Sequence, residues 1–198
     1  MSRWTFGCLL ILFVEALFVV KLIENKQTRT IRGVSIYKTM LSARNGNANA
    51  MKRIGDYHVR WNKSTEAYKQ ALDWYLRAAE QGEPYAMGEI GRIYMDGLSG
   101  DCNYAKSRYW LEKALAIDCA NYIAKANLAF IYGDGYKMYD KSHQLFREAL
   151  MKDPKNVDIM WLELVVLRRE NDEEGMIKLI RRIEKIKPGY VDRRLKRG

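Results

Sequence analysis

The sequence predicts an all-α protein, a right-handed α-solenoid of stacked helix pairs preceded by one transmembrane helix. Three observations carry this reading. One nine-residue motif recurs at offsets of 36, 38 and 36 residues, and a second motif between its copies recurs at 36 and 35. Repeats with periods of about 20–50 residues mark solenoids and related arrays. The third observation is a single apolar run, residues 4–23, at the amino end.

Composition sets the bounds. A length of 198 residues suits one domain or one short repeat array. A hydrophobic content of 48% excludes a largely disordered chain. Three cysteines cannot build a disulfide scaffold. The formal charge of +10 is uneven: residues 1–60 carry +7, residues 61–155 none, and residues 156–198 +3. A nucleic-acid-tracking protein carries its basic stripe across the folded body. Here the body is neutral and the excess lies at the ends.

From the amino end, residues 1–3 form a short tail and residues 4–23 a signal-anchor. The stretch 4–20 holds one charge, Glu15, and the run to Ile23 reaches 20 residues, enough to cross a bilayer as a helix. A cleaved signal peptide needs small residues after the apolar run. The sequence continues KLIENKQTRTIRG instead, so an uncleaved anchor is expected. Cys8 precedes most of the apolar run and reads as an ordinary apolar residue of a membrane helix. Glu15 either pairs across a helix contact, is protonated, or lies near an interface. Orientation cues conflict. Lys21, Lys26, Arg29 and Arg32 behind the run favour a cytosolic domain, whereas the short charged start resembles anchors that export the domain behind them. The second cue is weighted more, giving a single-pass inner-membrane protein with a periplasmic domain.

Residues 24–33 read as a basic linker, and 34–187 as the helical repeat domain. AMKRIGDYH at 50–58 aligns with AMGEIGRIY at 86–94, AKANLAFIY at 124–132 and MWLELVVLR at 160–168. Between them WYLRAA at 74–79 matches WLEKAL at 110–115 and LFREAL at 145–150. Pro84, Pro154 and Pro188 follow the second element, where a helix must stop. Apolar residues recur at the three-and-four helical spacing. The expected helices are 34–44, 48–60, 66–80, 85–95, 104–117, 121–132, 140–152, 156–170 and 173–186. Gly91 and Ala129 lie mid-helix at equivalent positions. Glycine there costs about 1 kcal/mol relative to Ala, so its use predicts close helix packing. Asp96-Gly97 and Asp134-Gly135 are expected to end first helices through a left-handed glycine. Residues 188–198, with Arg193, Arg194, Lys196 and Arg197, read as a basic, solvated tail.

The pattern A-x-x-x-I/L-G-x-I-Y-x-x-G with W-Y-x-x-A-A-E-Q-G, best seen in residues 74–97, resembles the SEL-one-like repeats, relatives of tetratricopeptide repeats. The resemblance covers about residues 42–155 and weakens towards 187, where Val165 and Arg168 replace the signature Gly and Tyr. It implies adaptor or scaffold work. By analogy with tetratricopeptide first helices, a protein-binding groove is expected at Lys52, Asp56, Gly88, Arg92, Ala126 and Phe130.

No catalytic constellation is evident, and no cofactor or metal is expected. The chain lacks H-E-x-x-H and C-x-x-C. GDCNYAKS at 100–107 lacks the glycine a phosphate loop places before its lysine. His58 holds the place of Tyr94 and Tyr132 and reads as a packing residue. His143 reads as a surface residue. Cys102 and Cys119 flank a helix about 20 Å long, too far apart for a disulfide. Trp74, Trp110, Tyr94 and Tyr132 fit the core grid, whereas Trp61, Tyr85, Phe130 and Trp161 are harder to place.

The expected function is therefore a non-enzymatic, membrane-anchored protein-binding module with another protein as partner and no small-molecule substrate. Similar anchored bacterial repeat proteins act as immunity proteins against secreted lipase-type toxins, which is the narrower expectation from resemblance. The alternative is a membrane-bound scaffold or regulatory adaptor for complex assembly. Nucleic-acid or anionic-lipid binding through the basic ends ranks below both because the body is neutral.

Overall fold

A computed structural model of the chain describes residues 29–196, with side-chain surroundings from residue 35. The expected anchor at 4–23, with Cys8 and Glu15, lies outside the described residues. Among the described residues no helix is long and apolar enough to cross a membrane.

The described chain is an all-α repeat fold. Its helices are α1 (Arg29–Arg44), α2 (Ala48–Trp61), α3 (Thr65–Glu80), α4 (Pro84–Asp96), α5 (Tyr104–Ile117), α6 (Tyr122–Phe130), α7 (Tyr139–Lys152), α8 (Val157–Glu170), α9 (Glu173–Ile186) and α10 (Tyr190–Leu195). The starts are chemically marked. Asn47, Ser64, Asn103, Asn121, Asn156 and Asp172 each accept a hydrogen bond from the backbone N–H three residues on. Such a cap contributes about 1 kcal/mol. Helix α4 has no side-chain cap and starts with Pro84, whose fixed φ suits a first turn.

Helices pair as α2 with α3, α4 with α5, α6 with α7 and α8 with α9. First helices also touch one another, α4 with α6 and α6 with α8, while successive second helices have no comparable contact. The first helices are thus the layer whose members adjoin from α4 to α8, and their shared side is termed the inner face.

The small residues of the repeat set the spacing. A Cβ on Gly55 would stand 2.5 Å from the Tyr75 ring, and one on Gly91 would stand 2.5 Å from Leu111 Cγ. Tyr75 and Leu111 are fully buried at equivalent positions of the second helices, as is Phe146 in the next unit. Ser107 Oγ donates to the Gly91 carbonyl at 2.5 Å, and Ser142 Oγ to that of Ala129 at 2.7 Å. Each hydroxyl is completely buried and satisfied by the helix it faces. Ala78, Ala114 and Ala149 complete the contact with no exposed surface. Three apolar clusters run along the array, and Phe130 and Leu145 pack against both the middle and the carboxyl-terminal one.

Several boundaries differ from the sequence reading. Helix α1 begins at Arg29, inside the expected linker. Gly97 does take the left-handed conformation, φ 64°, at the end of α4. Gly135 does not stop α6. The chain instead widens into a π turn, Ile131–Gly135, and Lys137 adopts the positive φ of 55°. The turn is held by close packing: a Cβ on Gly133 would strike Val166 and Ser142, and one on Gly135 would strike Tyr104. Asp134 within the turn accepts from Tyr104 at 2.6 Å and from Arg169 at 2.8 Å. The expected tail is also partly structural. Tyr190 and Val191 are buried in the last apolar cluster, so residues 190–195 extend the fold as α10.

Candidate protein-binding face

The six residues expected to line a groove occupy two rows on the first helices: Lys52, Gly88 and Ala126, then Asp56, Arg92 and Phe130. The structure brings three of them, Lys52, Asp56 and Arg92, into one polar and aromatic network over α2, α3 and α4, beside Gly88. Lys52 Nζ stands 4.8 Å from the centre of the Tyr85 ring, a cation–π arrangement. The Tyr75 hydroxyl donates to Asp56 Oδ1 at 2.8 Å. Arg92 donates to Glu89 from Nε at 3.0 Å and Nη2 at 2.8 Å, and its Nη1 lies 3.8 Å from Asp96. Gly88 is open, with nothing within 4 Å of the place a Cβ would occupy.

The electrostatics follow from partial burial beside acids. Burial pushes the Tyr85 hydroxyl up, with Glu89 and Asp56 adding to it, to about 12. Burial, with Asp56 beside it, raises Tyr75 far more. Burial raises the Asp96 carboxyl, which Arg92 and Arg194 hold back. Burial also works against the Arg92 charge, but Glu89 and Asp96 outweigh it. Arg92 is therefore a fixed cation between two acids.

The other two expected residues behave differently. Ala126 is buried, 1% exposed, because α6 is flanked by both α4 and α8; it offers no surface to a partner. Phe130 is half-buried, meets Tyr104 edge-on at 6.4 Å and touches two apolar clusters. It acts as a strut between units, and its truncation costs stability as well as any binding.

Sequence reasoning missed several participants. Tyr85 is 44% exposed and lies three residues before Gly88, beside Lys52. Glu89 and Tyr75 belong to the same network. At the far end Trp161, Tyr190 and Arg194 form a second aromatic–cation group: ring centres of Trp161 and Tyr190 are 6.3 Å apart, and the Arg194 guanidinium lies 5.5 Å from the Trp161 ring. The unplaced aromatics Tyr85 and Trp161 were the available signal.

The histidines are accounted for by packing and pairing. His58 is half-buried, edge-on to Tyr57 at 6.3 Å, and burial lowers its pKa while a hydrogen bond with Gln70 opposes this. His143 is less of a surface residue than expected: its Nε2 is 2.7 Å from Glu170, and its Nδ1 is 4.0 Å from Glu163. Cys102 and Cys119 are free thiols. Among the described residues no cluster of His, Cys, Asp and Glu is arranged to hold a metal ion.

Comparison places this geometry among known folds. No protein-family profile matches the chain. The structure is similar to the crystal structure of YrrB, a TPR protein described as having an unusual peptide-binding site, with a TM-score of 0.59, 17% identity, and coverage of 81% of this chain and 79% of that one. It is also similar to c5321, a protective antigen of uropathogenic Escherichia coli displaying an SLR fold, with a TM-score of 0.57, 21% identity, and coverage of 78% and 34%. The fold is of this TPR and SLR type. In sequence, 56 residues are 41% identical to the ERAD-associated E3 ubiquitin-protein ligase component HRD3A of Arabidopsis thaliana. That stretch is 28% of this chain and 8% of the relative.

Proposed function

We propose that the chain is a non-enzymatic protein-binding module whose inner face, centred on Lys52, Asp56, Tyr85, Gly88 and Arg92, receives a segment of another protein. The observation that supports this most is the joining of side chains from successive first helices into one partly exposed network beside the open Gly88. Exposed aromatics and arginine are the residue types that dominate protein-binding hot spots. The peptide-binding site named for YrrB is in keeping with the reading. In this proposal the run 4–23 tethers the module to the plasma membrane. The array lies on the periplasmic side, as in anchors with a similar short charged start.

The scaffold or adaptor form of this function gains support from the local match to HRD3A, itself named as a component of an assembly. The immunity role against a lipase-type toxin rests on resemblance alone. The test is affinity capture of the native partner by the full chain, comparing Tyr85→Ser with Arg92→Ala and, on α5, Lys113→Ala. Each inner-face change weakens capture by about tenfold or more, and the outer change does not. Undiminished capture by both inner-face variants refutes the reading.

A further inference from the structure

The amino end of the array holds a polar cavity that protein capture on the inner face does not use. It lies between α1 and α2, measures about 450 Å³, and is walled by Lys38 and Arg53 together with Ser35, Ser42, Asn47 and Asn49. Small-ligand sites span about 300–1,000 Å³. The Asn47 side-chain oxygen is taken by the Ala50 N–H at 2.8 Å. The Thr39 hydroxyl donates to the Ser35 carbonyl at 2.8 Å. The donors left are the Ser35 and Ser42 hydroxyls, the Asn49 amide and the two cations. No acid lines the cavity. Lys38 and Arg53 are both exposed, and neither has an ion-pair partner among the described residues. The surrounding stretch is equally one-sided: residues 25–55 hold seven Lys or Arg and no Asp or Glu. The next acid, Asp56, is bonded to Tyr75, and Lys52 lies over Tyr85; neither lines the cavity. Arg53 holds the repeat position of Glu89, Asn127 and Glu163, so a cation there is peculiar to the first unit.

A second cavity, of about 120 Å³, shares Ser35, Thr39 and Arg53 with the first and is otherwise walled by Ile36, Met40, Ile54 and Tyr57. A cationic pocket joined to an apolar one fits an amphiphile with an anionic head. We infer that this cleft is a phosphate site and that it takes the headgroup of an anionic phospholipid. Lys38 and Arg53 pair with the phosphate oxygens, as both residue types commonly do, and the apolar walls meet the carbon skeleton next to the head. The lipid as source rests on the tether proposed above. Five residues, 24–28, join the apolar run to α1, so Arg29 lies within about 20 Å of the run's end even at full stretch. Anionic leaflets attract basic segments at that distance from a membrane helix. Tyr37 and Leu41, one turn apart on α1, are also exposed, which suits a helix close to the bilayer surface.

The test uses the full chain in an uncharged detergent, titrated calorimetrically with dihexanoyl phosphatidylglycerol, dihexanoyl phosphatidylcholine and glycerol phosphate. The parent should bind the phosphatidylglycerol about tenfold or more tightly than either of the others. Lys38→Gln combined with Arg53→Gln should abolish that preference, and Arg53→Lys alone should keep most of it. Lys63→Gln combined with Lys69→Gln removes the same charge away from the cleft and should leave the preference intact. Melting temperatures check the fold, and if the first pair does not fold, its two single variants, each expected to lose roughly threefold or more, take its place. Equal binding of the two lipids by the parent overturns the inference. So does a preference that survives Lys38→Gln with Arg53→Gln, or one that the Lys63 and Lys69 pair loses equally, because binding then follows overall charge. Glycerol phosphate bound as tightly as the lipid, with the same dependence on Lys38 and Arg53, overturns the lipid assignment and makes the occupant a soluble phosphate ester. Failure here leaves capture through Tyr85 and Arg92 untouched. Release of the chain from membranes by alkaline washing removes the tether, whereas the calorimetry still reports on the pocket.

Discussion

Replacing Gly91 by Ala tests what holds the helix pairs together. The new Cβ would lie 2.5 Å from Leu111 Cγ and 2.8 Å from Cδ2. Leu111 has no exposed surface, so it has little room to yield, and α4 and α5 must separate. Separation also lengthens the buried bond from Ser107 to the Gly91 carbonyl. Overpacking costs about 1–3 kcal/mol and the weakened hydrogen bond up to about 1 kcal/mol. Alanine's better helix propensity returns about 1 kcal/mol. The net is a loss of about 2 kcal/mol, or a melting temperature roughly 4–8 °C lower for a domain of this size. Gly88→Ala on the same helix meets nothing within 4 Å and should raise stability by up to about 1 kcal/mol. Denaturant titration and thermal melting of both variants decide the matter. If Gly91→Ala is as stable as Gly88→Ala, the close approach of α4 and α5 is not what the repeated glycine serves.

The remaining predictions concern pH, the strut and the anchor. Burial lowers the pKa of His58, so below about 6.5 the unfolded chain takes up a proton that the folded chain resists. Stability should therefore fall as pH drops from that value towards the lowered folded pKa, and His58→Gln should lose that component in pH-dependent melting; an unchanged slope contradicts it. Phe130→Ala should destabilise the array measurably, because Phe130 joins two apolar clusters, and an unchanged melting temperature would make it a pure binding residue instead. The full chain should stay with membranes through high-salt and alkaline washing, and a mature protein starting beyond residue 23 would refute the anchor.

Much of the fold was legible because the repeat reports packing directly. Gly55, Gly91 and Ala129 recur where second helices press in, and six of the helix starts carry Asn, Ser or Asp caps in the sequence. Ser107 and Ser142 also recur one unit apart, and their buried bonds to the facing helix could have been anticipated from that spacing. Other features have no periodic signal. Helix α10 is short, has no counterpart one repeat earlier, and its arginines look like a solvated end; only Tyr190 and Val191 hint at burial. The π turn depends on Asp134 meeting Tyr104 and Arg169, 30 and 35 residues away in sequence. Register placed Ala126 on the same row as Lys52 and Gly88, but register does not reveal how closely neighbouring helices approach. At α6 they approach closely enough to bury it.

Site-specific photo-cross-linking in cells tests most directly whether the inner face is the working surface. A benzophenone side chain placed at Gly88, which is open, is compared with one at Tyr109, 51% exposed on the second helix α5. The prediction is a discrete protein adduct from position 88, lost when Tyr85→Ser and Arg92→Ala are combined with it, and none from position 109. An adduct from position 109 with none from position 88 would contradict the inner-face assignment.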